Sequence, residues 1–382
     1  MKLNEIAFPA LGWEFSVNPD AFVIGGFAIK WYAICIAVGV ILAYIYAIPR
    51  LKKNGLDDDK AFNCVFFGFI GAIIGARAYY VLMTLGIYNW TFLSIINIRD
   101  GGLAIYGGII GAILFAFIAS RIWKVKFIPL LDVAAPSFFI GQAIGRWGNF
   151  FNQEAFGTNT TLPWGMTGGR IQDYILRHTD GTLVNTGIVV DPAIPVHPCF
   201  LYESLWCLAG FLLIHFFFSK TRTFDGELIL VYAAWYGFGR AAIESLRTDS
   251  LMVGEFRVSQ LLGIITGTIA VALIIVFTIR TKKNPKPLYK DTEEAAAIIA
   301  EVNAREKAAA DKKAAKRAEK TREFEAELRD DEKLIDDDEI DITAPKSLEN
   351  PEKKSGEISD VSSGESDENN DVNSDENSDK KE

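Results

Sequence analysis

The sequence lacks most of the devices from which catalytic centres are built. It has four cysteines, Cys35, Cys64, Cys199 and Cys207. All lie in apolar segments without metal-ligand spacing, so they read as small buried hydrophobes and not as a disulfide framework. There is no Walker loop, no acid-rich metal motif of the Asp-Asp type, no HExxH and no nucleophile elbow. The first 20 residues lack a basic start followed by an apolar core. No cleavable signal peptide is expected, and the first membrane segment directs insertion itself. Residues 336–382 contain no aromatic residue.

What is present is apolar and unevenly spread. Half of the 382 residues are hydrophobic, and 27 are phenylalanine. The apolar runs fill residues 1–280. The net charge of −9 comes wholly from an acid excess beyond residue 280, which leaves the first part slightly basic. A membrane-crossing helix needs about 20 apolar residues, and such runs recur at 27–49, 61–85, 103–123, 130–145, 199–218, 227–246 and 258–280. The fourth is short, so a re-entrant segment and an even number of spans stay open at this point. Basic clusters follow the first, third, fifth and seventh runs: Arg50, Lys52, Lys53 and Lys60; Arg121, Lys124 and Lys126; Lys220 and Arg222; Arg280, Lys282, Lys283 and Lys286. Basic loops stay in the cytoplasm. Six spans would place two of these clusters on the wrong side. The expected fold is therefore an all-α integral membrane protein of seven transmembrane helices, N-terminus outside and C-terminus cytoplasmic.

Four regions follow. Residues 1–280 are expected to form a polytopic membrane domain, the part that would carry any catalytic chemistry. Within it, 146–198 is expected to be a small extracytoplasmic element punctuated by Pro163-Trp164, Gly168-Gly169 and Asp180-Gly181, with a strand at Val184–Val190. Residues 281–335 form a charged helical extension whose apolar residues are too sparse for a heptad. Residues 336–382 form an acidic disordered tail, too polar to bury a core. A solvated extension is the simpler reading of everything past 280, and no catalytic part is assigned to it.

The chemistry concentrates in a few stretches. Gly145-Arg146-Trp147-Gly148-Asn149-Phe150-Phe151-Asn152-Gln153-Glu154-Ala155-Phe156-Gly157 follows an apolar run. Clustered polar groups beside a membrane segment are costly unless they are used. Tyr236, Arg240, Glu244 and Arg247 are spaced four, four and three apart, on one face of a helix. Such a stripe faces a cavity, or it is a structural Arg–Glu lock between helices. Arg77, well inside the second run, is either a phosphate ligand or a structural partner for an acid such as Asp100. Asp100-Gly101-Gly102-Leu103-Ala104-Ile105-Tyr106-Gly107-Gly108 lets a ligand approach backbone, and Tyr106 either donates a hydrogen bond or anchors the helix. Trp31-Tyr32 alone reads as an interfacial belt, and His197-Pro198 with Tyr202 and Glu203 opens the fifth run. Arg146, Arg240, Arg247 and Arg77, with Glu154, Glu203 and Glu244, suit an anionic ligand. In a membrane the abundant one is a phospholipid headgroup. Transferase, phospholipase and transporter remain possible on these residues.

The stretch Gly145–Gly157 resembles the signature of the phosphatidylglycerol–prolipoprotein diacylglyceryl transferases. Trp31-Tyr32, Asp100-Gly101-Gly102 with Gly107-Gly108, His197-Pro198 with Tyr202-Glu203, and Tyr236-Gly237 with Arg240 and Glu244 agree in order. The resemblance covers about residues 5–280. It implies transfer of an sn-1,2-diacylglyceryl group from phosphatidylglycerol to the lipobox cysteine thiol of a preprolipoprotein signal peptide, with release of glycerol 1-phosphate. This is the first step of bacterial lipoprotein maturation. It implies no cofactor and no metal. It also implies residence in the bacterial cell membrane, a site toward the outer face, membrane lipids as surroundings and no nucleic-acid partner.

Under the resemblance Arg146 and Arg240 hold the phosphate or glycerol headgroup. Glu154 and Glu244 orient them, Asn149 donates a hydrogen bond, and Tyr32 and Asn152 line the cavity. Gly102, Gly157, Arg77, Arg247 and His197 are further expected substrate contacts. Many members carry a histidine, proposed as the thiol's base, where this chain has Tyr106. An unperturbed tyrosine with a pKa near 10 is a poor base, so Tyr106 is a catalytic candidate of open role, and His197 is either an alternative base or structural. A transporter or flippase would also use intramembrane arginines, but no inverted repeat is visible. A phospholipase would want a nucleophile or metal pair.

Overall fold

A computed structural model describes residues 1–98, 101–178, 189–254 and 256–336, with side chains to residue 326. The chain divides into two compact units, Met1–Lys313 and Ala314–Glu382. The described part of the second is helix throughout.

Eleven helices are described: α1 Trp31–Lys53, α2 Asp58–Met83, α3 Phe92–Ile96, α4 Ile105–Ile122, α5 Phe127–Asn152, α6 Gly169–Arg177, α7 Cys199–Leu213, α8 Ser219–Thr221, α9 Glu227–Glu244, α10 Val258–Lys283 and α11 Glu293–Asp336. A π-turn at Ile214–Phe218 joins α7 to α8, so one apolar rod runs from Cys199 to Thr221. Six helices among the described residues are long and apolar enough to cross a membrane: α1, α2, α4, α5, the α7–α8 rod and α10. The molecule is a mainly helical membrane protein. The remaining expected span, 227–246, falls on α9, whose 18 residues include Glu227, Arg240 and Glu244. α9 packs against α5, α7 and α10, and both of its glutamates are buried.

The fourth run is not short. α5 has 26 residues and carries the polar stretch through Asn152 as helix. Gly145, Arg146, Asn149 and Asn152 lower the mean hydropathy without breaking the backbone, which hid the last two turns.

Seven short strands qualify the all-α expectation. They are β1 Glu5–Phe8, β2 Trp13–Ser16, β3 Asp20–Ile24, β4 Phe27–Lys30, β5 Thr167–Gly168, β6 Met252–Val253 and β7 Phe256–Arg257. β1 sits between β2 and β5, antiparallel to both. The N-terminal 16 residues thus join the 146–198 connection in one folded head. Its core is Ile6, Phe8, Phe150, Phe156, Met166, Ile171, Ile175, Val190, Val196 and Phe200. β3 and β4 form a hairpin that leads directly into α1, turning at Gly25-Gly26, both with positive φ. The strand expected at Val184–Val190 lies mostly outside the described residues, and none is formed at 189–190.

At the far end of the bundle, the end bearing Arg50, Lys52, Lys53 and Lys126, buried Asp132 on α5 acts as a cap for α9. It accepts hydrogen bonds from Gly226 N (2.7 Å) and Ile229 N (3.1 Å), and pairs with Arg222 (3.2 Å). Arg222 also donates to Asn54 in the α1–α2 turn. The four cysteines are free and buried. The extension is not wholly solvated, because Tyr289, Ala295 and Val302 are buried.

Candidate functional site

The end of α5 carries most of the stretch singled out in the sequence. It closes with a double hydrogen bond, Glu154 N to Asn149 O (3.0 Å) and Gln153 N to Phe150 O (3.0 Å). Gln153 takes the left-handed conformation there, φ 56°. This is the Schellman closure, usually made by glycine. A non-glycine residue in that region costs roughly 1–2 kcal/mol. The Gln153 side chain holds it in place, donating to Leu3 O (2.8 Å) and accepting from Arg170 N (2.9 Å). The polar stretch is thereby fixed to the head.

Glu203, on the first turns of α7, gathers three arginines. Arg146 on α5 lies 2.7 Å from its carboxylate, Arg240 on α9 3.0 Å, and Arg247 just beyond α9 2.9 Å. Its side chain is only 4 % exposed. Buried Glu244 adds a second bridge, 2.6 Å to Arg240 and 3.9 Å to Arg247. That Glu244 oxygen touches Arg240 as an ion but makes no hydrogen bond. Asp249 holds Arg247 bidentately, at 3.0 and 2.7 Å.

The three guanidiniums are not equivalent. Arg247 is committed to Glu203 and Asp249. Arg240 spends one nitrogen on each glutamate. Among the described residues Arg146 uses a single nitrogen, on Glu203, and so keeps most of its five N–H donors. Arg146 and Arg240 are half-buried and available to an anion, while Arg247 is the anchor. A small cavity beside them is lined by Glu203, Cys207, Tyr236 and Arg240 among others.

Glu154 sits differently from the expectation. It is exposed, accepts from Asn149 Nδ2 (2.9 Å) and Asn152 Nδ2 (3.1 Å), and pairs with no arginine among the described residues. Gly157 is stitched into a third group. Its N–H donates to His197 O (2.9 Å), and Thr158 N donates to Leu246 O (2.8 Å). A Cβ at Gly157 would lie 2.8 Å from His197 Cβ and 2.9 Å from both Cys199 Sγ and Leu246 O. His197 Nδ1 meets Tyr202 OH (3.0 Å), which accepts from Trp164 Nε1 (2.7 Å). Burial pushes the His197 pKa down.

Tyr32 packs its ring against Gly148, so the start of α1 abuts the end of α5. Trp31 stacks on Phe151 at 5.1 Å. Arg77 has a structural occupation. It donates to the carbonyls of Ser94, Ile95, Gly101 and Gly102 at 2.5–2.9 Å, which uses four of its five donors. Asp100, its other considered partner, lies outside the described residues. Tyr106 occupies the first turn of α4 and makes no hydrogen bond, ion pair or ring contact with a described residue.

The structure thus brings Arg146, Arg240, Arg247 and Glu244 together through Glu203, and sets Asn149, Asn152 and Glu154 on the same helix end. Arg77, on α2, and Gly102 belong instead to the connection that leads into α4, which Arg77 ties down. The sequence placed Glu203 among the acids of an anion site but gave it no central role. Its central place is set by the pairing of α5, α7 and α9, which no local spacing encodes.

Residues 19–276 match the family described as prolipoprotein diacylglyceryl transferase. The phosphatidylglycerol–prolipoprotein diacylglyceryl transferase of Listeria monocytogenes serotype 4a (strain HCC23) is 41 % identical over 275 residues, covering 72 % of this chain and 94 % of that protein. The similarly named transferase 1 of Clostridium perfringens (strain 13 / Type A) is 41 % identical over 274 residues, 72 % of this chain and 99 % of its own. The Finegoldia magna protein of the same name is 39 % identical over 274 residues, with 72 % and 98 % covered.

Proposed function

The chain belongs to the prolipoprotein diacylglyceryl transferase family, and from that premise we propose the following reading of its site. The protein transfers the sn-1,2-diacylglyceryl group of phosphatidylglycerol to the lipobox cysteine of a preprolipoprotein, the first step of lipoprotein maturation. A lipid transporter is not favoured. The observation that carries the reading is Glu203 holding Arg146, Arg240 and Arg247 in one cluster at the end of α5.

The cysteine sulfur attacks C3 of the diacylated glycerol. The S–C bond forms as the C3–O bond breaks, and the electron pair stays on the phosphate oxygen of the departing glycerol phosphate. The diester's single negative charge grows as this happens. Arg146 and Arg240, already fixed by carboxylates, meet that charge without reorganising. The thiol's proton ends on the phosphate monoester. Cationic neighbours lower a thiol's pKa, so the cluster favours the thiolate and a dedicated base is not needed. Tyr106 contributes a hydroxyl at the rim, and Asn149 with Asn152 presents Glu154 to the polar parts of the substrates.

The same reading gives seven spans with α9 among them, the N-terminus outside and the C-terminus in the cytoplasm. All lysine- and arginine-rich turns lie at one end of the bundle, while the head and the arginine cluster lie at the other. Positive residues favour the cytoplasmic side, which turns the cluster toward the outer face.

Mass spectrometry of a lipobox peptide incubated with membranes containing the protein and phosphatidylglycerol tests the reading. A gain of one diacylglyceryl unit on the cysteine is expected. Unmodified peptide with free diacylglycerol or translocated lipid would sink it.

A further inference from the structure

α2 and α4 form a pair of their own. Gly71, Gly75, Gly107 and Gly111 bring their backbones into contact, and a Cβ on Gly111 would overlap the carbonyl of Gly71. Small residues at such a crossing let helices pack closely without side chains between them. The pair is tight inside but sparsely joined to the rest. α1 packs along α5, and α5 along α7 and α9, while only a few residues link α1 to α2 or α4 to α5. Arg77 and Tyr106 ride on the pair. The arginine cluster rides on α5, α7 and α9. A seam therefore separates the body that carries Arg77 and Tyr106 from the body that carries the arginine cluster.

At the basic end this seam is covered by residues beyond 276, where the family match stops. Tyr289 N donates to Asp225 Oδ2 (2.8 Å) in the α8–α9 turn. The Tyr289 ring and Ala295 enter an apolar cluster with Leu51 of α1, Ala61 and Cys64 of α2, Ala119 of α4 and Leu130 of α5. Ala295 lies against Gly55, which has no side chain to keep it out. Ion pairs ring this cluster. Glu294 meets Lys126 before α5 (3.0 Å), Glu306 meets Lys52 of α1, and Arg305 meets Asp57, Asp58 and Asp59 at the start of α2 (3.2, 3.3 and 3.1 Å). Exposed pairs contribute little singly. Here they sit around buried apolar groups and reach both sides of the seam.

We propose that residues 288–306 are a built-in clamp that fixes the α2–α4 pair to α1 and α5 at the basic end. The two bodies then part only at the opposite end, beside the arginine cluster, where a long-chain lipid and a peptide must enter sideways. The surface formed by the α1–α2, α4–α5 and α8–α9 turns takes this segment of the same chain as its partner. The expected solvated extension is thereby given a mechanical role.

Spin labels at Phe66→Cys on α2 and Ile128→Cys on α5, both exposed positions, report the width of the seam in the bilayer-reconstituted chain. A chain ended after Lys283 is expected to show a longer mean distance and a broader distribution than the full chain. Lys52→Glu or Glu306→Lys alone should shift the distribution the same way, and the double swap K52E/E306K should return it. These whole-chain variants carry the test if the shortened chain does not fold. The clamp is overturned if the shortened chain, or the single swaps where it fails to fold, keep the full chain's distance distribution. The readout is a distance, so its failure is distinct from failure of the transferase reading.

Discussion

Glu203 is a single buried carboxylate between three guanidiniums. Removing one partner of a buried ion cluster leaves the others uncompensated, which typically costs about 3–5 kcal/mol. Glu203→Ala is therefore expected to lower thermal stability in detergent as well as activity. Arg146→Ala should behave differently. Arg146 is half-buried and gives one nitrogen to Glu203, so the fold survives its loss while transfer falls by about 10²–10³, the usual effect of removing one donor to a developing charge. Unfolding curves and the peptide transfer assay separate the two, and full activity in Arg146→Ala would remove it from the site.

His197 offers a second residue-scale prediction. Trp164 donates to the Tyr202 hydroxyl, which in turn meets His197 Nδ1. That contact engages Nδ1 and ties the ring to the head. Burial also holds its pKa below the ordinary value. As pH falls, the unfolded chain takes up this proton first, near 6.5. The stabilisation is complete above that pH and is lost as pH falls through the folded-state pKa. The difference in melting temperature between pH 8 and pH 5.5 should shrink in His197→Gln, and an unchanged difference would refute the assignment.

At the scale of elements, the end of α5 explains what sequence reading could and could not see. The apolar periods gave away the membrane helices, and residue types alone marked Arg146, Asn149, Glu154 and Arg240 as a polar site. The length of α5 was hidden because its last turns are the polar stretch itself, and because Gln153 closes the helix where glycine would have announced the stop. The head was half hidden for another reason. β1 is four residues long and pairs with β5 some 160 residues later, a long-range match that no local pattern carries. Sparse apolar residues likewise concealed the docking of Tyr289, Ala295 and Val302. Gly157 is where the α5 end, His197 and the segment after α9 meet. A methyl group there runs into backbone and into Cys199, and a packed core cannot absorb it without strain of about 1–3 kcal/mol. Gly157→Ala should lower both stability and transfer, whereas Trp164→Phe, which removes the N–H to Tyr202 and part of an exposed ring, should spare stability more. Equal stability of Gly157→Ala and the parent chain would show that the junction has slack.

At the scale of the whole molecule, topology turns on α9. Its 18 residues make about 27 Å of helix at 1.5 Å per residue, close to the roughly 30 Å apolar thickness of a bilayer. Its ionisable groups would be too costly against lipid. They are not against lipid: Glu227 accepts from Thr223 N (2.6 Å), Arg240 and Glu244 pair with each other, and α5, α7 and α10 surround the helix. A short, charged helix sheltered in this way can cross where a lipid-facing one could not. If α9 crosses, Lys220 before it and Leu251 after it lie on opposite sides of the membrane. The four native cysteines are buried and add little background to thiol labelling. An impermeant maleimide should therefore reach Leu251→Cys in intact cells and Lys220→Cys only after permeabilisation. Labelling of both from one side would mean six spans. It would also leave basic turns on both faces, against the charge bias from which the outward-facing cluster is proposed.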